Sequence, residues 1–357
     1  MSVWIDLPKA LFGELEKPVC RVGEFSVSAF RYPSGVCALR VANARGEITV
    51  LPYQGQQVWR ASFDGRELTM RSMFDQPVET RTYLETYGGF LIHCGLTGLG
   101  APGPTDTHVL HGELPNAPMQ SAWLEVGADG VSVVSTYQHT VAFSTHYRAT
   151  LRTHLAAGAT LIDASVAVEN LKRTPMDLMY LGHANFRPVD HGELHYTAAY
   201  DAASVRVRQS IPSHITPQAG YADFLAQLAA DPTPHHVFDP ALAFDPEVVF
   251  EIDLAAGPDG WAHALQKHPD GVADYISYRP DVAPVCMRWI CRTPDQDGLG
   301  VAFPATSGVE GYTVEKAKGR VVELAGGDTW MIAMQVGHLT AEDTAAMVDT
   351  IEQIRAR

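Results

Sequence analysis

The stretch HYRATLRTHLAAGATLIDASVAVENL, residues 146–171, limits the choice of fold more than any other part of the chain. In its second half Leu161, Asp163, Ser165, Ala167 and Glu169 share one face, while Ile162, Ala164, Val166 and Val168 share the other. A period of two sends alternate side chains to opposite faces, which is the geometry of a half-buried strand and not of a helix. AAGA between the halves reads as a tight turn. The segment is therefore a hairpin with one apolar face that needs a second layer to cover it.

The same pattern recurs. EFSVSAFRY alternates and is broken by PSG, and VCALRVANARGEITVLPY reads as two short strands around a turn at 43–46. VVFEIDL, PVCMRWICRT, GLGVAFPAT and TWMIAMQVGHL continue it. Frequent turn signals between short strands predict a sandwich or barrel. Helical signal is confined to TPQAGYADFLAQLAADP, closed by Asp231-Pro232, and to the C-terminus. There Thr340 stands as an N-cap with Asp343 in the acidic position of a capping box, and Met347, Ile351 and Ile354 form a stripe. That helix is expected to pack on the outside of the β body. GLTGLGAPGPTDTH, rich in Gly and Pro between strands, reads as a loop over a site. The expected architecture is all-β, a large antiparallel β-sandwich with few short helices. It forms one domain over residues 1–357, with 1–20 as an N-terminal extension and 340–357 as the C-terminal helix.

Hydrophobic residues make up 46% of the 357 and charged residues 19%, enough for a large core and too little charge for long disordered tails. The net charge of −15 repels phosphate backbones and argues against a nucleic-acid partner. Five dispersed cysteines without a CxxC pair fit a reducing compartment rather than a disulfide framework. MSVWIDLPKALFGELEKP lacks the basic start and apolar core of a signal peptide. No apolar run approaches the roughly 20 residues that cross a bilayer. A soluble cytoplasmic protein, monomer or homodimer, without membrane or nucleic-acid partners, is expected.

Polar and special residues gather in three segments. LPYQGQQVW brings Gln54, Gln56 and Gln57 beside Tyr53 and Trp59. The segment 85–118 carries His93, His108, His111 and Glu113, and YLGHANFRP carries His183, Asn185 and Arg187. Amides bond hydroxyls in pairs, aromatic faces cover the apolar side of a sugar ring, and imidazoles move protons near neutral pH. The combination points to a neutral polyol as ligand, and isolated arginines (Arg187 and Arg288) give no cue for a phosphosugar.

The order of the short motifs LHGELP, GHANF and MRWICRT…GLGVAFPATSGVEGY resembles the aldose 1-epimerase (galactose mutarotase-like) superfamily, in a little-characterised branch. The resemblance implies the supersandwich fold, a sugar ligand, a catalytic histidine at His111 and the general acid at His183. It requires no cofactor or metal. Two positions depart from the family pattern. YGGFLIHCG places His93 near an expected arginine, and GVAFPATSG places Phe303 where a catalytic glutamate is expected, with Glu310 seven residues on.

The expected reaction is anomer interconversion. His183 protonates the ring oxygen, His111 holds or polarises a ring substituent, and Glu310, or failing it Glu113, removes the anomeric proton. His93, Gln56, Asn185, Arg187, Arg288 and His108 are the candidate substrate contacts. His93, Gln56, Arg288 and Glu310 also have a structural reading: His93 in an apolar strand, Gln56 decorating a strand, Arg288 capping an aromatic cluster, Glu310 in a solvated loop. Two other activities share the same residues, a metal-dependent keto-sugar isomerase or lyase built on the histidines and a non-catalytic sugar-binding protein.

Overall fold

The computed structural model describes residues 3–212, 215–242 and 244–357. Within them two antiparallel sheets, of nine and thirteen strands, stack face to face. The fold is that of the galactose mutarotase-like β-sandwich. The hairpin read from the sequence is present as Thr145–Ala156 and Leu161–Asn170, paired from Tyr147 opposite Asn170 to Leu155 opposite Ile162. Ile162, Ala164, Val166 and Val168 are buried and their alternates are not. They belong to one apolar cluster that runs between the two sheets and also contains Val27, Phe90 and Ile290. Complete burial of a Val or Ile side chain is worth about 1.5–3 kcal/mol, so the alternation fixes which face turns inward.

The turn at 43–46 closes through the Asn43 side chain, whose Oδ1 accepts from the Arg45 and Gly46 amides at 2.9 and 3.1 Å. Residues 3–22 include two strands. Val3–Asp6 pairs with Ser121–Val126 at the edge of the nine-stranded sheet, and Lys17–Val22 forms an edge of the other. The C-terminal helix, Ala341–Arg355, starts where the capping box predicts: Thr340 accepts from the Asp343 amide at 3.2 Å and donates to its carboxylate at 2.6 Å. Ile351 and Met347 pack on Leu265, Tyr275 and Leu339, on the outer face of the nine-stranded sheet. The helix Tyr221–Ala230 ends at Asp231.

The thirteen-stranded sheet matters most for function. Its inner face meets the nine-stranded sheet. Its outer face carries a separate apolar cluster that includes Ile92, Cys94, Leu181, Met287, Trp289 and Phe303. No helix of the described residues is long and apolar enough to cross a membrane.

Candidate functional site

Strands Val285–Arg292, Asp297–Ala305, Met176–Ala184 and Leu91–Leu96 lie side by side in that order. Every second residue of each projects outward, so alternation decides which side chains reach the outer face. Leu181 and His183 do, whereas a Cβ on Gly182 would sit 2.7 Å from Met334 of the opposing sheet. Met287, Trp289 and Cys291 do, whereas Arg288 does not. Over these residues opens a cavity of about 420 Å³, walled further by Tyr83, Tyr87, His111 and Glu247.

His183 and His111 both line this cavity as edge-to-face neighbours, with ring centroids 5.8 Å apart and planes nearly perpendicular. His183 is 5% exposed and comes from a strand. His111 comes from the Gly/Pro-rich loop, and its backbone is left-handed at φ 58°. Gly112 follows at φ 78°, and any Cβ there would fall 2.3 Å from the carbonyl oxygen of Gly95. Only glycine permits that approach, and the approach aims the preceding imidazole inward.

The protonation state of His183 follows from its neighbour. Asn185 donates from Nδ2 to the Gly89 carbonyl at 2.9 Å, which turns its Oδ1 toward the imidazole. Nδ1 of His183 lies 2.7 Å from that oxygen. An amide oxygen only accepts, so Nδ1 carries the hydrogen and Nε2 keeps a lone pair. Tyr87 also donates to Oδ1, at 3.3 Å. Burial pushes the pKa of His183 down to about 3, and the Asn185 bond offsets only part of that. The ring is neutral at rest. Phe303 lies against it at 3.9 Å between centroids, and Trp289 and Tyr87 stand edge-on at 5.8 and 5.6 Å.

Two carboxylates line the cavity, Glu247 and the more exposed Asp295. Glu247 accepts from the Trp289 indole at 2.7 Å and pairs with Arg208 at 2.9 Å, both side chains 15% exposed. Neither residue stood out in the sequence. Glu247 lies in Phe244–Ile252, where the register shifts between Phe244 and Val248, so alternation could not tell which face it takes.

The other residues singled out by the sequence lie elsewhere. Asn185 is fully buried behind His183 and touches it rather than the cavity. His93 projects to the inner face, where it bonds Tyr180 at 2.7 Å, and burial takes it down to about 4. Gln56 is buried between the sheets and donates to the carbonyls of Val133 and Leu151. Arg288 is buried on the inner face, bonded to the Val301 carbonyl and His235, with the Tyr196 ring 4.1 Å away. Arg187 is exposed at a different pocket, beside Arg66 and His268. His108 packs its loop against Tyr312. Glu310 lies in a neighbouring depression, where Ser210 donates to both its oxygens. Glu113 accepts from Thr97 and Tyr147 at 2.7 and 2.6 Å, which occupies it structurally. Among the described residues no three His, Cys, Asp or Glu side chains form a group able to hold a metal ion, so the histidine-cluster alternative has no donor set there.

The family model described as Domain of unknown function (DUF4432) matches residues 33–337. The chain belongs to this family. The match spans both sheets and every residue around the cavity. Curated proteins offer no match. Solved structures do. A Klebsiella pneumoniae protein provisionally named an aldose 1-epimerase superposes with a TM-score of 0.81 at 17% identity, covering 99% of this chain and 96% of that one. A galactose mutarotase-like protein from Clostridium acetobutylicum gives 0.62 at 11% identity, over 88% and 98%. At such identities the likeness establishes the fold this DUF4432 member adopts.

Proposed function

We propose that this DUF4432 protein binds a cyclic sugar in the cavity and interconverts its anomers. The observation that carries the reading is the pair of imidazoles, His111 and His183, brought from distant segments to face one cavity. The fold shared with proteins named for aldose 1-epimerase and mutarotase activity supports it.

Ring opening removes the proton of the anomeric hydroxyl, forms the carbonyl, breaks the bond from C1 to the ring oxygen and leaves a proton on that oxygen. The aldehyde turns about its C1–C2 bond and closes on its other face by the reverse transfers. His183 enters this sequence neutral, with Nε2 unprotonated. It therefore accepts the anomeric proton, which reverses the donor's part that the resemblance implies. His111, beside it in the lining, delivers the proton to the ring oxygen. Glu247, held by Trp289 and Arg208, receives ring hydroxyls at the cavity wall. Glu310 has no part, since it opens onto the neighbouring depression.

A non-catalytic sugar-binding protein is the second reading, favoured by Phe303 in the place where a carboxylate was expected. Anomer exchange followed by NMR on a panel of freshly dissolved pentoses and hexoses separates the two. Acceleration that falls by about 10²–10⁴-fold in His183→Ala, with thermal unfolding unchanged, supports the enzyme. An unaltered rate in that variant removes His183 from the mechanism, and binding without acceleration leaves only the second reading.

A further inference from the structure

More of the cavity lining is apolar than polar. Several of its polar side chains are already engaged within the protein: Tyr87 with Asn185, Trp289 with Glu247, Thr293 with Gln296. The other polar side chains of the lining are Tyr83, His111, His183, Asp295, Gln296 and the Arg208–Glu247 pair. The rest of the lining is apolar, with Leu110, Leu181, Val249, Met287, Phe303 and Val309. An unsubstituted aldose carries a hydroxyl on nearly every carbon, and each one buried without a partner weighs against binding.

A separate observation concerns the mouth. Met73 and Leu84 line the same cavity yet are 69% and 45% exposed, and Ile215, also in its lining, is half-buried. Large apolar side chains gathered at the rim of a cleft mark a surface that an apolar group covers. Polar groups in the lining and an apolar mouth together describe a two-part ligand.

We infer that the substrate is a sugar bearing an alkyl, acyl or aryl substituent away from its anomeric carbon, rather than an unsubstituted aldose. This rests on the reading of the cavity as a sugar site. The hydroxylated edge with O1 and the ring oxygen lies at the two imidazoles, and the substituent runs outward along Leu110 and Val309 to Met73, Leu84 and Ile215. Phe303 then provides the apolar turn between the two parts.

The test is calorimetry with D-glucose and D-galactose, each as the parent sugar, the 3-O-hexyl ether and the 6-O-hexyl ether, on the full chain. At least one ether is expected to bind about tenfold or more tightly than its parent, since burial of two to three methylene groups suffices for that. A negative heat-capacity change accompanies the gain. The double substitution Met73→Ser, Leu84→Ser, at exposed positions, abolishes the gain and leaves thermal unfolding unchanged. Ethers that bind no better than their parents, or fail to bind, overturn the inference, as does a gain that survives the double substitution. Anomer exchange on the same six sugars is read separately by NMR. Ethers that bind without faster exchange sink the enzymatic reading and leave this one standing; faster exchange of the parents without preference for an ether does the reverse.

Discussion

Lowering the pH from 8 to 5 should cost this protein much of its stability, and the cost can be worked from two residues. His183 and His93 are buried on opposite faces of the same sheet and held neutral, with pKa values of about 3 and about 4, against 6.5 for a free histidine. A depressed histidine pKa means that the unfolded chain binds the proton and the folded one refuses it. The stability is complete above pH 6.5 and is lost as pH falls toward the folded values. At pH 5 the linkage relation gives about 2 kcal/mol for each, and about 4 kcal/mol together, on a typical total of about 5–15 kcal/mol. Burial also lowers His235 and His236, which act in the same direction, while Asp297, whose carboxyl burial pushes up, opposes them. Urea unfolding at pH 8, 6.5 and 5, followed by tryptophan fluorescence, measures the loss. His93→Gln keeps a bond for Tyr180 and removes one titrating ring, so its pH dependence should be shallower by about 2 kcal/mol. A wild-type loss below about 1 kcal/mol, or an unchanged slope in the variant, refutes the reasoning.

Other perturbations read the site more directly. Asn185→Asp puts a negative charge against Nδ1 of His183, which favours the imidazolium. The acid limb of the pH–rate profile for anomer exchange should move to higher pH, and an unmoved limb would sever Asn185 from the chemistry. Gly112→Ala should displace His111 through the contact with Gly95 and reduce exchange by at least about tenfold, whereas a fully active variant would show that the loop's close approach is dispensable. Thr340→Ala should cost about 1 kcal/mol in chemical denaturation without touching activity, and no measurable cost would contradict the cap.

What could be read in advance followed physical periodicity. The hairpin at 146–171 declared its inner face because Ile162 to Val168 alternate without interruption, and the C-terminal helix declared its start through Thr340 and Asp343. The pairing of His111 with His183 was legible only through the resemblance, since nothing local ties a loop to a strand seventy residues on. Alternation, applied more strictly, would have separated His93 from Cys94 and Arg288 from Trp289, because one member of each pair must face the opposite sheet. The helix Tyr312–Ala317 was missed: its buried Glu315 reads as a surface residue until it is seen accepting the Gly308 amide at 3.0 Å. Glu247 stayed hidden because a bulge breaks the phase of its strand.

The amide of Asn185 has a consequence for how the imidazole beside it works. A carboxylate in that place would let the ring hold a second proton and linger as a cation. An amide cannot lend that support, so any proton His183 takes up is one it must quickly give back. A catalyst of a reversible step profits from such impatience, because neither direction of the exchange leaves it trapped in a resting form that must first be discharged.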